Sequence, residues 1–160
     1  AAVNGPAIGI GTTLLLHCDL VYAGKNATLQ LPFVNLGICP EAGSSYLLPQ
    51  LMGHQRAAEL LLLGKPFSAQ QACEFGLVNH VLPDGEVLQA AEDACRELTA
   101  LPPNALRETK RLLKQNHSSI VSETMQREGK AFLKCLGSPE AQEAFAAFFE
   151  RRPPDFSRFQ

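Results

Sequence analysis

Ala1-Ala2-Val3-Asn4-Gly5-Pro6-Ala7-Ile8-Gly9-Ile10-Gly11 opens the chain, and Thr12-Thr13-Leu14-Leu15-Leu16-His17-Cys18 follows it directly. The first three residues read as a strand already under way, so a piece of a longer chain is expected. Asn4-Gly5-Pro6 supplies turn chemistry: two residues that tolerate unusual backbone angles and one that fixes its own. Gly9 and Gly11 bracket Ile10, and glycine is the residue that lets backbone approach a ligand closely. The run from Thr12 to Cys18 reads as a buried apolar helix that Asp19 ends. Taken alone, these glycines read better as a tight strand-to-helix turn with no ligand at all.

Working outward, Leu20 to Ala23, Thr28 to Leu31 and Leu77 to Val81 have strand composition, with Gly24-Lys25-Asn26 turning between the first two. A loop is expected from Pro32 through Pro40. Helices are expected from about Gly43 to Met52, stopped by Gly53, and from Gln55 to Leu63, stopped by Gly64. Ser68 followed by Gln71 has the spacing of a capping box before a short helix that Gly76 ends. Beyond Glu86 the pattern changes to apolar residues at helical spacing, over Glu86 to Thr99, Asn104 to Gln115, Ser118 to Leu136 and Pro139 to Phe149. Pro102-Pro103, Asn116-His117 and Gly137-Ser138 punctuate that run. The expected organisation is an α/β portion over residues 1–82 and an all-helical region over 83–160.

The composition narrows the partners. The chain has 160 residues, 46% of them hydrophobic and 19% charged, with a net charge of −2. That is ordinary for a globular protein with one real core. Without a basic stripe, nucleic acid is a poor partner. The apolar run Leu60 to Leu63 is far too short to cross a bilayer, so no membrane role is expected. The five cysteines, Cys18, Cys39, Cys73, Cys95 and Cys135, are odd in number and lack CxxC spacing. No zinc site or disulfide framework is expected, and reduced, buried thiols in a cytoplasm-like compartment are.

Four blocks carry a resemblance to a known family. Ala1 to Gly11 resembles the oxyanion-hole segment A-x-x-G-x-A-x-G-G-G of the crotonase (enoyl-CoA hydratase/isomerase) superfamily. Cys18-Asp19 falls where that family has a Cys-Asp pair. Leu31-Pro32-Phe33 and Leu36-Gly37-Ile38-Cys39-Pro40 resemble its active-site loop. Gly64, Ser68-Ala69-Gln70-Gln71-Ala72 and Gly76-Leu77-Val78 resemble its G-x-x-x-S-A-x-x-A-x-x-x-G-L-V stretch. The blocks are collinear and span Ala1 to about Leu82. The resemblance implies the later part of a β-β-α spiral followed by helices that mediate trimerisation, so a homotrimer or hexamer is expected. It also implies an acyl-CoA thioester as substrate, no metal and no cofactor beyond the substrate's own coenzyme A.

The family stabilises an enolate on the thioester oxygen with two backbone N–H groups. By resemblance one belongs to Ile10, with Gly9 beside it; the other comes from an upstream loop outside this chain. The isolated chain is therefore expected to be catalytically dead. By the same resemblance Gly9, Leu31, Pro32, Phe33 and Leu36 fall at substrate-binding positions. Hydratases of the family use two glutamates, and at those places this chain has Thr13 and Phe33, neither of which can be a general base. A carboxylate stands instead at Glu41, within Pro40-Glu41-Ala42-Gly43-Ser44-Ser45-Tyr46. This pattern resembles the peroxisomal-type Δ3,Δ2-enoyl-CoA isomerase branch, where that glutamate is the catalytic base. Residues 101–107, Leu101-Pro102-Pro103-Asn104-Ala105-Leu106-Arg107, resemble that branch too.

The resemblance implies double-bond isomerisation from 3-enoyl-CoA to 2-enoyl-CoA in fatty acid β-oxidation. The alternatives are another crotonase-type reaction such as hydration, or a non-catalytic interaction module of the kind linked to chromodomains. Apart from the family, Glu41 reads better as a carboxylate placed at a helix N-terminus for its dipole, with no catalytic task. In a eukaryote the compartment expected is the peroxisome or mitochondrion, and otherwise the cytoplasm. Phe148 and Arg151 match positions where the family's last helix contacts coenzyme A, often that of a neighbouring subunit; an amphipathic helix with a solvated basic end is the plainer reading. The histidines are scattered, and Ser44 or Ser45 is expected to satisfy free N–H groups in a first helical turn. The basic face of Lys110, Arg111 and Lys114 reads as solvated surface.

Overall fold

The computed structural model describes residues 1–159. Six short strands form two three-stranded sheets. One joins β1 (Ala2–Val3), β3 (Tyr22–Gly24) and β6 (His80–Leu82) in the order β1-β3-β6, all parallel. The other joins β2 (Ala7–Ile8), β4 (Thr28–Gln30) and β5 (Phe67–Ser68) in the order β2-β4-β5, with β2 parallel and β5 antiparallel to β4. The chain thus leaves one sheet at Asn4-Gly5-Pro6 and enters the other within a few residues. β2 and β5 are the strands that pattern reading passes over: two residues are too few to show a period of two, and β2 sits inside what reads as a glycine turn.

Among the described residues there are seven α-helices: α1 (Ile10–Thr13), α2 (Ser44–Met52), α3 (His54–Leu63), α4 (Ala69–Glu74), α5 (Val87–Ala100), α6 (Pro103–Leu136) and α7 (Pro139–Phe149). α1 starts two residues earlier than expected and tightens into a 3-10 turn over Leu14–His17. A second 3-10 turn, Val34–Leu36, interrupts the expected loop. The Ser68 capping box forms: Ser68 Oγ accepts from Gln71 N–H, and the Gln71 side chain accepts from Ser68 N–H.

The largest departure is α6. Asn116-His117 does not divide it, and residues 103–136 form one 34-residue helix. Asn and His cost only a few tenths of a kcal/mol, about 0.5 kcal/mol each, in a helix interior, far less than Pro. Long-range contacts outweigh that cost. His117 Nδ1 lies 2.8 Å from Tyr46 Oη on α2, while Lys110 and Lys114 pair with Asp19 beyond the first 3-10 turn. The basic face of α6 therefore has a partner, and Lys110 followed by Lys114 holds the Asp19 carboxyl below its ordinary value.

The core gathers Val3, Val21, Ala23, Leu29, Leu31, Phe33, Leu48, Ala57, Phe67 and Leu77 from both sheets and from α2 and α3. α5 lies on β1 and β3 through the buried Val87. α7 packs on the 34–36 turn through Ala141, Ala144 and Ala147, all buried. Close approach there depends on Gly37: its φ is +68°, and a Cβ would come within 2.7 Å of the Ala141 nitrogen. The cysteines depart from expectation, for none is fully buried and Cys95 is exposed.

Candidate active site

Gly9 caps α1 at φ 57°, ψ −117°, a conformation that glycine adopts without penalty. Its N–H donates to Gln30 O at 2.9 Å, tying the turn to β4, and its carbonyl accepts from Thr12 and Thr13. Ala7 O is taken by the Thr12 hydroxyl. Among the described residues, the N–H groups of Ile10 and Gly11 have no acceptor. Two adjacent free donors thus stand at the start of a helix.

Glu41 lies opposite this turn. The Thr13 hydroxyl, buried on α1, donates to Glu41 Oε1 at 2.5 Å. The position where the hydratase pattern has a glutamate here holds the side chain that orients Glu41. Around this carboxylate opens a cleft of about 710 Å³, with Ile10, Leu14 and His17 on one wall and Val121, Met125, Phe132 and Leu133 of α6 on the other. One carboxylate and one imidazole are the titratable groups among those lining it.

The backbone that carries Glu41 is strained and held. Ala42 has φ 59° and Gly43 has φ 75°, two successive left-handed residues. For alanine that conformation costs about 1–2 kcal/mol and persists only where surroundings enforce it. His17 Nε2 sits 2.7 Å from Ala42 O, and Ser44 Oγ donates to Glu41 O at 2.6 Å. The start of α2 has no side-chain cap from its own first turn. Ser44 instead donates, and the cap comes from Glu128 on α6, whose carboxylate accepts from Gly43 N–H at 2.6 Å and Ser45 N–H at 2.9 Å. Sequence reasoning missed Glu128. The signal available was an acidic residue on the inward stripe of a long helix, four residues after Thr124, and both are buried.

The remaining expected residues lie elsewhere. Leu31 and Phe33 are fully packed in the core, and Pro32 and Leu36 are half-buried; none of the four lines the Glu41 cleft. Phe148 is exposed at the end of α7, edge-on to Phe149, and Arg151 follows it, exposed, with φ 54°. Behind them Glu143 clasps the tail. Its buried carboxylate meets Arg152 at 2.5 Å, Arg158 at 2.7 Å and the N–H of Asp155 at 3.0 Å. The Arg152 guanidinium foremost, then the Asp155 N–H, holds the Glu143 carboxyl down at about 2.

The family model for enoyl-CoA hydratase/isomerase matches residues 1–158. Enoyl-CoA delta isomerase 2 of Rattus norvegicus is 39% identical over 153 residues, 96% of this chain and 39% of that protein. The 2,3-dehydroadipyl-CoA hydratase of Escherichia coli (strain K12) is 36% identical, over 98% of this chain and 61% of that protein. Chromodomain Y-like protein of Homo sapiens is 34% identical, over 97% of this chain and 26% of that protein. The crystal structure of an enoyl-CoA hydratase/isomerase from Pseudoalteromonas atlantica T6c superposes with a TM-score of 0.94 at 43% identity, covering 98% of this chain and 63% of that one. The chain spans less than two thirds of the length of each.

Proposed function

Since this chain belongs to the enoyl-CoA hydratase/isomerase family and has its crotonase fold, we propose that it carries the isomerase chemistry, moving the double bond of a 3-enoyl-CoA to the 2-position. The observation that carries this reading is the single carboxylate of the cleft, Glu41, oriented by the hydroxyl of Thr13 and sharing the cleft lining with Ile10 at the start of α1.

One movable proton carrier suffices for this reaction. The Glu41 carboxylate takes a proton from C2, and the C2–H electron pair delocalises into a dienolate with its charge on the thioester oxygen. The Ile10 N–H is proposed to donate to that oxygen; such a preorganised donor is worth about 3–4 kcal/mol of barrier. The protonated Glu41 then delivers the proton to C4, the double bond settles between C2 and C3, and the carboxylate is regenerated. The two-glutamate route to hydration would need a second carboxylate, which Thr13 and Phe33 do not supply, and the one other titratable group lining the cleft, His17, has its Nε2 at 2.7 Å from Ala42 O. The chemistry as written needs no metal or organic cofactor, because coenzyme A is part of the substrate. Apolar walls from Leu14, Val121, Met125 and Phe132 suit an acyl chain. Phe148 and Arg151 remain the proposed contacts for the coenzyme A moiety, a ring to stack and a cation for phosphate, within a trimeric or hexameric assembly.

The deciding experiment gives the full-length protein 3-enoyl-CoA and 2-enoyl-CoA side by side. Isomerisation well above hydration is expected. Efficient hydration with no isomerisation would overturn the reading.

A further inference from the structure

We infer that Glu128 of α6 is the positioning residue for the loop that carries Glu41, acting on catalysis from 85 residues away without touching substrate. The inference rests on the proposed role of Glu41 as the proton carrier. Glu128 is 7% exposed, and its two carboxylate oxygens are divided between two backbone donors, Oε2 with Gly43 N–H and Oε1 with Ser45 N–H. Those donors bracket the first residue of α2 and follow Glu41 by two and four positions. The clamp therefore sets both where α2 begins and where the Glu41 side chain points.

Three features make this more than an ordinary helix cap. The clamped backbone is the one with Ala42 in the left-handed region, a conformation that a non-glycine residue keeps only where its surroundings hold it. The clamp comes from α6, whose next turns carry Met125, Phe132 and Leu133, wall residues of the Glu41 cleft. A displacement of α6 thus moves the cleft wall and the base together. Finally, Cys39 Sγ lies 3.9 Å from Glu128 O, so the same turn of α6 also meets the chain on the N-terminal side of Glu41. His17, at 2.7 Å from Ala42 O, closes the grip from the α1 side.

The test is a mutant cycle in the full-length protein with Glu128→Gln, Glu41→Gln and the double variant, assayed on a 3-enoyl-CoA. Glu128→Gln keeps the size of the side chain but gives one of the two N–H groups a donor in place of an acceptor. The expected result is a fall in kcat of about tenfold to a hundredfold, the scale of a base displaced by roughly an ångström. KM is expected to stay within about twofold, with rates corrected for the folded fraction by circular dichroism. The double variant should be no slower than Glu41→Gln alone, because a positioning residue has nothing left to position. If Glu128→Gln does not fold, Glu128→Asp, which keeps the charge but withdraws it by one methylene, carries the same test. A kcat within twofold of the parent for the folded variant, or full additivity in the double variant, overturns the inference. Failure of the base assignment looks different: Glu41→Gln itself would then turn over at a near-parental rate.

Discussion

Glu41 and Glu143 are the same side chain in two regions that ask opposite things of it. Glu143 is saturated: two guanidinium groups and one backbone N–H converge on it, and its carboxyl is held at about 2. Such a group stays an anion at any physiological pH, so it can fasten the tail 151–159 to α7 but cannot carry a proton. Among the described residues Glu41 has one side-chain hydrogen bond, from a neutral hydroxyl, and it lines a cleft. The comparison teaches that the partner inventory, more than burial, separates a carboxylate fixed by charge pairs from the one proposed above as the proton carrier. The strain is also distributed differently. Around Glu41 it lies at Ala42, held by backbone and side-chain hydrogen bonds, and around Glu143 it lies at Arg151, beside the charge pairs that hold the tail.

The contrast breaks most easily at Glu41. Glu41→Gln in the full-length protein is expected to cut isomerisation by about a hundred- to ten-thousandfold while leaving the fold intact, as read by steady-state kinetics beside circular dichroism. Next in size is Gly37→Ala, at the place where α7 meets the loop region. The positive φ and the approach to the Ala141 backbone together predict a loss of about 2–3 kcal/mol, measurable by urea unfolding. An unchanged unfolding midpoint would mean that the two regions are not packed as described. Thr13→Val removes the one hydroxyl on Glu41 and should lower kcat on the order of tenfold, with little change in KM.

At Glu143 the sign of the pH effect follows from a folded-state value depressed to about 2 against an ordinary 4.5. The clasp contributes its full stability above about 4.5, and that contribution is lost as pH falls toward 2. The protection of the amides of residues 151–159, with exchange rates corrected for their intrinsic pH dependence, is expected to fall over that window, and Glu143→Gln should remove most of that fall. The smallest effect is that of Ala42→Gly. It relieves the left-handed strain but gives the unfolded chain more freedom, for a net change within about 1 kcal/mol by the same urea assay.

Much of the local structure was legible. α7 was readable to its end residues because Ser138 accepts from Ala141 N–H and Pro139 sits at the first helical position, both signals contained within four residues. The Ser68 capping box and the glycines that end α2 and α3 are of the same kind. The continuity of α6 was not legible, because what overrides Asn116-His117 is contact with Tyr46 and Asp19, far away in the chain. The cysteines were misjudged for a similar reason: composition gives a tendency to burial, and only packing decides which thiols reach solvent.

For the candidate site the division is sharper. From the sequence alone came the glycine turn at Gly9-Ile10-Gly11, the family, the absence of the hydratase glutamates at Thr13 and Phe33, and Glu41 as the one acidic residue of its loop. All of these are matters of residue type and short spacing, which the covalent chain carries by itself. Only the tertiary structure decided that Thr13 turns its hydroxyl onto Glu41 across 28 positions, that Glu128 reaches back across 85 to hold the start of α2, and that α6 supplies the far wall of the cleft. Hydrogen bonds and apolar contacts between distant segments depend on where folding brings them, and no local pattern records that.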